Sequence, residues 1–337
     1  QRRVHGVPKL FISLFIGNIF HGECMKSFTC HLLHGSLAKR LKSFTGKFPI
    51  QSRRVTCHVW QPPRCSVPTA NVIFFHGDRV DNPTNPVIIR LSDIRSIADL
   101  LVSKFGSAVN AWVFEASTFN GPFAIYRDFV PSVNRFGEPK SYKAVGFPAS
   151  TSAVALLCNC LRQVEFSVYN EVALSSSMQP KTVLVGFSKG GTVINQLVAE
   201  LAFSDNLSHG CREGRVLPEN RQELLDSISE IHYVDVGLNV PNAYITEEKV
   251  INGIAKRSAN SEDGIRFVIH GTPRQWRDPR RLSIHREKDK LVSMLELVSG
   301  NCNGYLQVYE RFYFADRLPD LQMHFEVLDY MDVTTSL

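Results

Sequence analysis

Residues 183–191 read Val183-Leu184-Val185-Gly186-Phe187-Ser188-Lys189-Gly190-Gly191, and this stretch decides the fold. An apolar, β-branched run enters it. An amphipathic run leaves it through Val193, Ile194, Leu197, Val198 and Leu201. The entry predicts a strand over 182–185 and the exit a helix over 189–203. Between them stands Gly-x-Ser-x-Gly, at Gly186, Ser188 and Gly190. Five residues alone are a weak pattern, but a strand running in and a helix running out are the context the motif requires. A sharp strand-to-helix turn leaves no room for side chains beside the serine, which explains the glycines. It also lifts the hydroxyl to the carboxyl edge of the sheet, where a helix N-terminus favours developing negative charge. The plain alternative is a glycine-rich turn with a helix-capping serine. A phosphate-binding loop is excluded, because Lys189 follows the serine instead of preceding it.

The same alternation extends in both directions. Strands are predicted over 55–60, 71–75, 111–115, 231–236, 266–269 and 305–314. Helices are predicted over 90–105, 151–169, 247–256 and 286–298. The stretch 116–141 reads as a long loop. Its Phe119, Phe123, Ile125, Tyr126 and Phe129 could form an apolar lid, as in an enzyme working at a lipid surface. Asp205 to Asn220 reads as a polar surface insertion. Strands without polar alternation belong to a sheet covered on both faces, and strand–helix alternation makes such a sheet parallel. The expected fold is α/β, an α/β-hydrolase fold with a mostly parallel central sheet and helices on both faces.

A serine hydroxyl needs a base, and the base needs an orienting carboxylate. In this fold both follow the serine in chain order, acid before histidine. His324, after the last strand, is the expected base. His209, His232, His270 and His285 fall in an insertion, in strands or in a charged helical approach. Two acids compete. Asp278 lies in the loop after the strand over 266–269, and Asp235 ends the preceding strand. Topology favours Asp278. The oxyanion is expected to meet the backbone N–H of Lys189 and a second donor from His76-Gly77-Asp78-Arg79, where Gly77 permits close approach. The carboxylate of Asp78 is unusual there, since an anion opposes an oxyanion. This chemistry calls for no metal and no organic cofactor.

Charge is uneven along the chain. The formal net charge is +6. Residues 1–54 hold ten Lys and Arg against one acid, Glu23, so the remainder is mildly acidic. An acidic body argues against nucleic-acid binding, which wants a basic face. The expected organisation is a basic extension over 1–54 followed by a domain over 55–337. The apolar run over 10–20 is too short to cross a bilayer, which needs about 20 apolar residues. Preceded by Arg2, Arg3 and Lys9, it could be a signal-peptide core. From Met25 to Arg54 the chain has no acid and is rich in Lys, Arg and Ser, the marks of an organelle transit peptide. A plain basic tail is the alternative. None of the eight cysteines forms a C-x-x-C pair, so they read as reduced thiols.

Several blocks resemble a known family. Gly186-Phe187-Ser188-Lys189-Gly190 with Val193-Ile194-Asn195-Gln196-Leu197 is one. Thr272-Pro273 with Arg277-Asp278-Pro279 is a second. Phe75, Gly77, Asp78, Tyr233, Asp235 and His324-Phe325 extend it. Together they resemble the mitochondrial α/β-hydrolase-like family whose human member is named as an open reading frame on chromosome 2. The resemblance implies a hydrolase fold, a mitochondrial location and a serine hydrolase site at Ser188, His324 and one of the two aspartates. Two features depart from the family pattern near the pocket: His76, and the short segment before the serine strand. The leading expectation is hydrolysis of an ester, thioester or related acyl bond in a small-molecule or lipid-like substrate. The alternative is a catalytically silent protein of this fold that binds partners in mitochondria.

Overall fold

The computed structural model describes residues 29–32, 40–47, 54–61, 68–168, 180–204, 217–259, 264–300, 302 and 304–333; for 29–61 and 161–168 only the backbone is described. The apolar run over 10–20 and most of the insertion over 205–220 lie outside these residues, as does much of the basic stretch from Met25 to Arg54.

Three strands open the chain: β1 (Thr29–Leu32), β2 (Arg40–Lys47) and β3 (Arg54–Gln61). Two of them fall within residues 1–54, so the sheet begins upstream of residue 55, the start expected for the domain. Then come β4 (Ala70–Phe75), α1 (Pro86–Ser92), α2 (Ile94–Phe105) and β5 (Val109–Phe114). A hairpin follows, β6 (Thr118–Asn120) with β7 (Phe123–Ile125), and then α3 (Pro148–Val168). The serine strand is β8 (Lys181–Phe187), and its helix is α4 (Gly191–Phe203). After it come α5 (Arg221–Ser227), β9 (Ile228–Val234), α6 (Glu248–Ala259) and β10 (Ile265–Gly271). The chain closes with α7 (Pro273–Trp276), α8 (Leu282–Ser299), β11 (Leu306–Phe312) and α9 (Leu321–Tyr330).

Among the described residues the main sheet has nine strands, in the order β1-β2-β3-β5-β4-β8-β9-β10-β11. The pairs β1–β2, β2–β3 and β3–β5 are antiparallel, and every pair from β5 to β11 is parallel. This antiparallel edge, the exchange of β5 and β4, and the serine after β8 make an α/β-hydrolase sheet. Alternate residues of each central strand feed two cores. Ile73, Phe75, Leu184 and Tyr233 pack with α3, α4, α6 and α8. Val72, Phe74, Val183, Val185 and Val234 pack with α1, α2 and α9. Burial on both faces is why these strands show no polar alternation. Each such side chain contributes about 1.5–3 kcal/mol relative to exposure.

Three local expectations change. The helix predicted over 90–105 is two helices, broken at Asp93, whose extended backbone (φ −82°, ψ 119°) ends α1. The Asp93 carboxylate then caps α2 by accepting from the Ser96 N–H at 2.9 Å. Part of the stretch read as a loop forms the β6–β7 hairpin, which turns at Gly121 with φ +56°. That stretch is no surface lid either: Ile125, Tyr126 and Phe129 are buried in the core. The Tyr126 hydroxyl donates to the His76 carbonyl at 2.7 Å, anchoring the segment to the end of β4. Among the described residues no helix is long and apolar enough to cross a membrane.

Candidate active site

The turn after β8 is as tight as its glycines suggest. Ser188 has φ +53°, a left-handed backbone that is uncommon for a residue bearing a Cβ. It opens a short 3-10 turn, Ser188–Gly190, that leads into α4. A Cβ on Gly190 would enter contact distance of the Phe75 carbonyl oxygen, so the turn closes directly on the end of β4. A Cβ on Gly77 would stand 2.5 Å from the Ser188 Cβ and 3.0 Å from its hydroxyl oxygen. The backbone after β4 therefore passes immediately beside the serine.

His324 follows the last strand, as expected, and lies in the first turn of α9, a helix not among those predicted from the sequence. Asp320 caps that helix by accepting from the Met323 N–H at 2.6 Å. His324 Nδ1 meets Asp235 Oδ2 at 2.6 Å. Asp235 is fully buried and sits just past β9 with φ +43°. Its carboxylate also accepts from the Thr272 N–H at 2.8 Å and the Thr272 hydroxyl at 3.1 Å. The ring of Phe187, next to the serine, lies 4.8 Å from the imidazole, centroid to centroid. Ser188 and His324 are thus neighbours through Phe187, while no hydrogen bond joins them among the described residues. Catalytic hydrogen bonds are commonly long before substrate binds.

The expectation for Asp278 is not met. Its carboxylate caps the following turn at the Arg280 N–H, 3.0 Å away, and pairs with the Arg280 guanidinium, also at 3.0 Å. Those bonds hold its pKa below the ordinary carboxylate value. Asp278 therefore serves its own loop, and Asp235 takes the imidazole. Thr272, which steers Asp235 with two bonds, had no sequence signal beyond its place in the Thr-Pro block. The second donor loop also narrows. The Arg79 N–H is used by the Pro122 carbonyl at 2.8 Å, which leaves Asp78 as the candidate donor from that loop.

The Asp78 carboxylate has a partner. Its Oδ1 lies 3.1 Å from the Lys189 ammonium and accepts from the Ala124 N–H at 2.7 Å. Lys189 is buried, donates to the Phe136 carbonyl at 2.8 Å and lies 4.7 Å from the centre of the Phe123 ring. Desolvation raises the Asp78 pKa, and the Lys189 charge opposes that rise. The negative charge of Asp78 is thereby offset by the residue that follows the serine in the chain. Among the described residues, no group of three or more His, Cys, Asp and Glu side chains is placed to hold a metal ion.

Comparison with known proteins adds relatives. The family model described as C2orf69 matches residues 150–299, which include both the serine–helix block and the Thr-Pro…Arg-Asp-Pro block. The human mitochondrial protein C2orf69 is 26% identical, over 79% of this chain and 74% of the human protein. Its mouse homologue is 26% identical, over 69% of this chain and 68% of its own length. The zebrafish homologue is 28% identical over 64% of this chain, but only 58% of that protein is covered. Among solved structures, an S-formylglutathione hydrolase from Agrobacterium tumefaciens matches with TM-score 0.43 and 9% identity, covering 91% of this chain and 96% of that one. The enterobactin and salmochelin hydrolase IroE matches with TM-score 0.43 and 11% identity, covering 88% and 93% respectively. The names of the relatives agree with the mitochondrial location expected from the sequence. The resemblance read from the serine–helix and Thr-Pro blocks is thereby matched: the chain is similar to the C2orf69 family over residues 150–299 and to its vertebrate mitochondrial members over most of its length.

Proposed function

We propose that this protein is a mitochondrial serine hydrolase that cleaves an ester, thioester or related acyl bond. The observation that carries the reading is the 2.6 Å bond between His324 and the buried Asp235, formed beside the Ser188 turn. In the proposed reaction the Ser188 oxygen attacks the acyl carbonyl, and its proton passes to His324 Nε2. Asp235 holds the Nδ1–H side of the ring and stabilises the imidazolium. The oxyanion that forms accepts from the backbone N–H groups of Lys189 and Asp78, with Gly77 allowing the approach. Each donor of this kind is worth about 3 kcal/mol of barrier. The imidazolium then returns its proton to the leaving group. Water, activated by the same imidazole, releases the acid and restores the serine.

One observation favours a second reading, partner binding without turnover: Ser188 and His324 share no hydrogen bond among the described residues. A fluorophosphonate probe separates the two, because it reacts only with an activated serine. The expected result is labelling of the intact chain at Ser188, lost in Ser188→Ala and strongly reduced in His324→Ala. If the folded chain stays unlabelled while a known serine hydrolase in the same tube is labelled, the silent reading stands.

A further inference from the structure

Arg274, in the short helix α7 directly after β10, has no hydrogen-bond or ion-pair partner among the described residues. Its Nε is buried without a hydrogen bond, and no ion pair reaches its guanidinium among the described residues. Three carboxylates bear on it: Asp235, Asp278 and Asp320. Each is already engaged. Asp235 holds His324 and Thr272. Asp278 holds Arg280. Asp320 caps α9 and pairs with Arg317 at 3.3 Å. A like charge adds to this: Arg281 repels Arg274 and donates to the Gln275 side chain at 3.0 Å.

The position matters as much as the isolation. α7 leaves the same carboxyl edge of the sheet as Ser188, Gly77 and Asp235, and it packs against α9, which carries His324. A half-buried cation without a counter-ion costs free energy unless something supplies one. A guanidinium is shaped to take a planar carboxylate or a phosphate through paired N–H bonds. We propose that Arg274 is the anion-binding residue of the site, and that the acyl substrate carries an oxyanion group, carboxylate or phosphate, which it pairs with. This inference rests on the hydrolase reading for its turnover test, and a binding test stands apart from that reading.

The turnover test compares two esters that differ in one charge, 4-nitrophenyl hexanoate and mono-4-nitrophenyl adipate, on the full chain and on Arg274→Gln and Arg274→Lys. The readout is the ratio of kcat/KM for the adipyl ester over the hexanoyl ester, which cancels general damage to the enzyme. That ratio is expected to fall about 10- to 100-fold in Arg274→Gln, the range for a charge-assisted bond, and to recover in part in Arg274→Lys. An unchanged ratio in Arg274→Gln overturns the proposal.

If the wild-type chain hydrolyses neither ester, the acyl-hydrolase reading is what has failed, and binding decides the subsite. Thermal unfolding of the Ser188→Ala chain is then followed with adipate, with inorganic phosphate and with neutral hexanamide. A stabilising shift with either anion that Arg274→Gln abolishes supports the subsite. A shift with adipate alone assigns a carboxylate source, and one with phosphate alone a phosphate source. No shift with either anion, or a shift that survives Arg274→Gln, overturns the proposal.

Discussion

At the residue scale, the site turns on which of two aspartates faces the histidine. Asp235 and Asp278 both follow parallel strands, and the order rule admits either. Their difference is conformational. Asp235 takes a left-handed backbone, φ +43°, that aims its carboxylate at Thr272 and His324. Asp278 lies beyond α6, β10 and α7 and spends its oxygens on Arg280. In the reaction proposed above, Asp235→Asn keeps the shape and removes the charge that would support the imidazolium, so kcat is expected to fall about 10⁴-fold, as when a triad acid becomes an amide. Asp278→Asn loses only a surface-facing pair, since the Arg280 side chain is 86% exposed, and kcat is expected to stay within a few fold. Steady-state rates on one ester settle it: the reverse ranking would mean that Asp278 is the working acid. Ser188 was legible because its demands are local, a glycine on either side and a strand and helix around it. Which carboxylate meets His324 was not, because it depends on a contact between residues 89 positions apart.

At the scale of elements, the β6–β7 hairpin and the serine turn are built as one unit. Lys189 links them through the Phe136 carbonyl, Phe123 and Asp78, whose carboxylate in turn receives the Ala124 N–H. The sequence showed the lysine beside the serine but not its destination, because the hairpin lies in a stretch whose prolines and glycines read as loop. Lys189→Met should leave Asp78 unpaired and the Phe136 carbonyl without its donor, at a cost of about 1–3 kcal/mol in unfolding free energy. Asp78→Asn in the same chain should return part of that loss, because it removes the stranded charge. Denaturant unfolding of the two single variants and the double variant gives the coupling. Strict additivity would show that the pair does not act together.

The whole molecule carries a buried chain of polar groups on the face of the sheet away from α4. Arg266 donates to Glu230 at 3.2 Å, and Glu230 meets His232 Nε2 at 2.7 Å. His232 Nδ1 lies 2.9 Å from His270 Nε2, and His270 Nδ1 lies 2.9 Å from the Tyr313 hydroxyl. That hydroxyl accepts from the Asp332 N–H at 3.0 Å, so the run ties β9 and β10 to the C-terminal segment. From sequence these histidines read only as strand residues, since nothing in their spacing shows that they touch. Burial holds the His270 pKa well below the ordinary 6.5, and the charges of His232, Arg311 and Lys104 push the same way. Burial also lowers His76, whose Nδ1 has no partner. Both rings are therefore neutral when folded and take a proton when unfolded once the pH drops below 6.5. The unfolded state then binds more protons, so stability is full above that pH and falls as the pH decreases. Each ring adds a slope of up to about 1.4 kcal/mol per pH unit. Asp78 and Glu200 act oppositely, because burial raises their pKa values; their contribution is present at low pH and is lost as the pH rises through the folded values. The histidine effect should therefore set in as the pH falls through 6.5 and grow steeper below it. Urea unfolding at a series of pH values should show stability dropping through this window, with a shallower slope in His270→Gln. A flat profile in the wild-type chain, or an equal slope in the variant, would mean that His270 takes up its proton without unfolding.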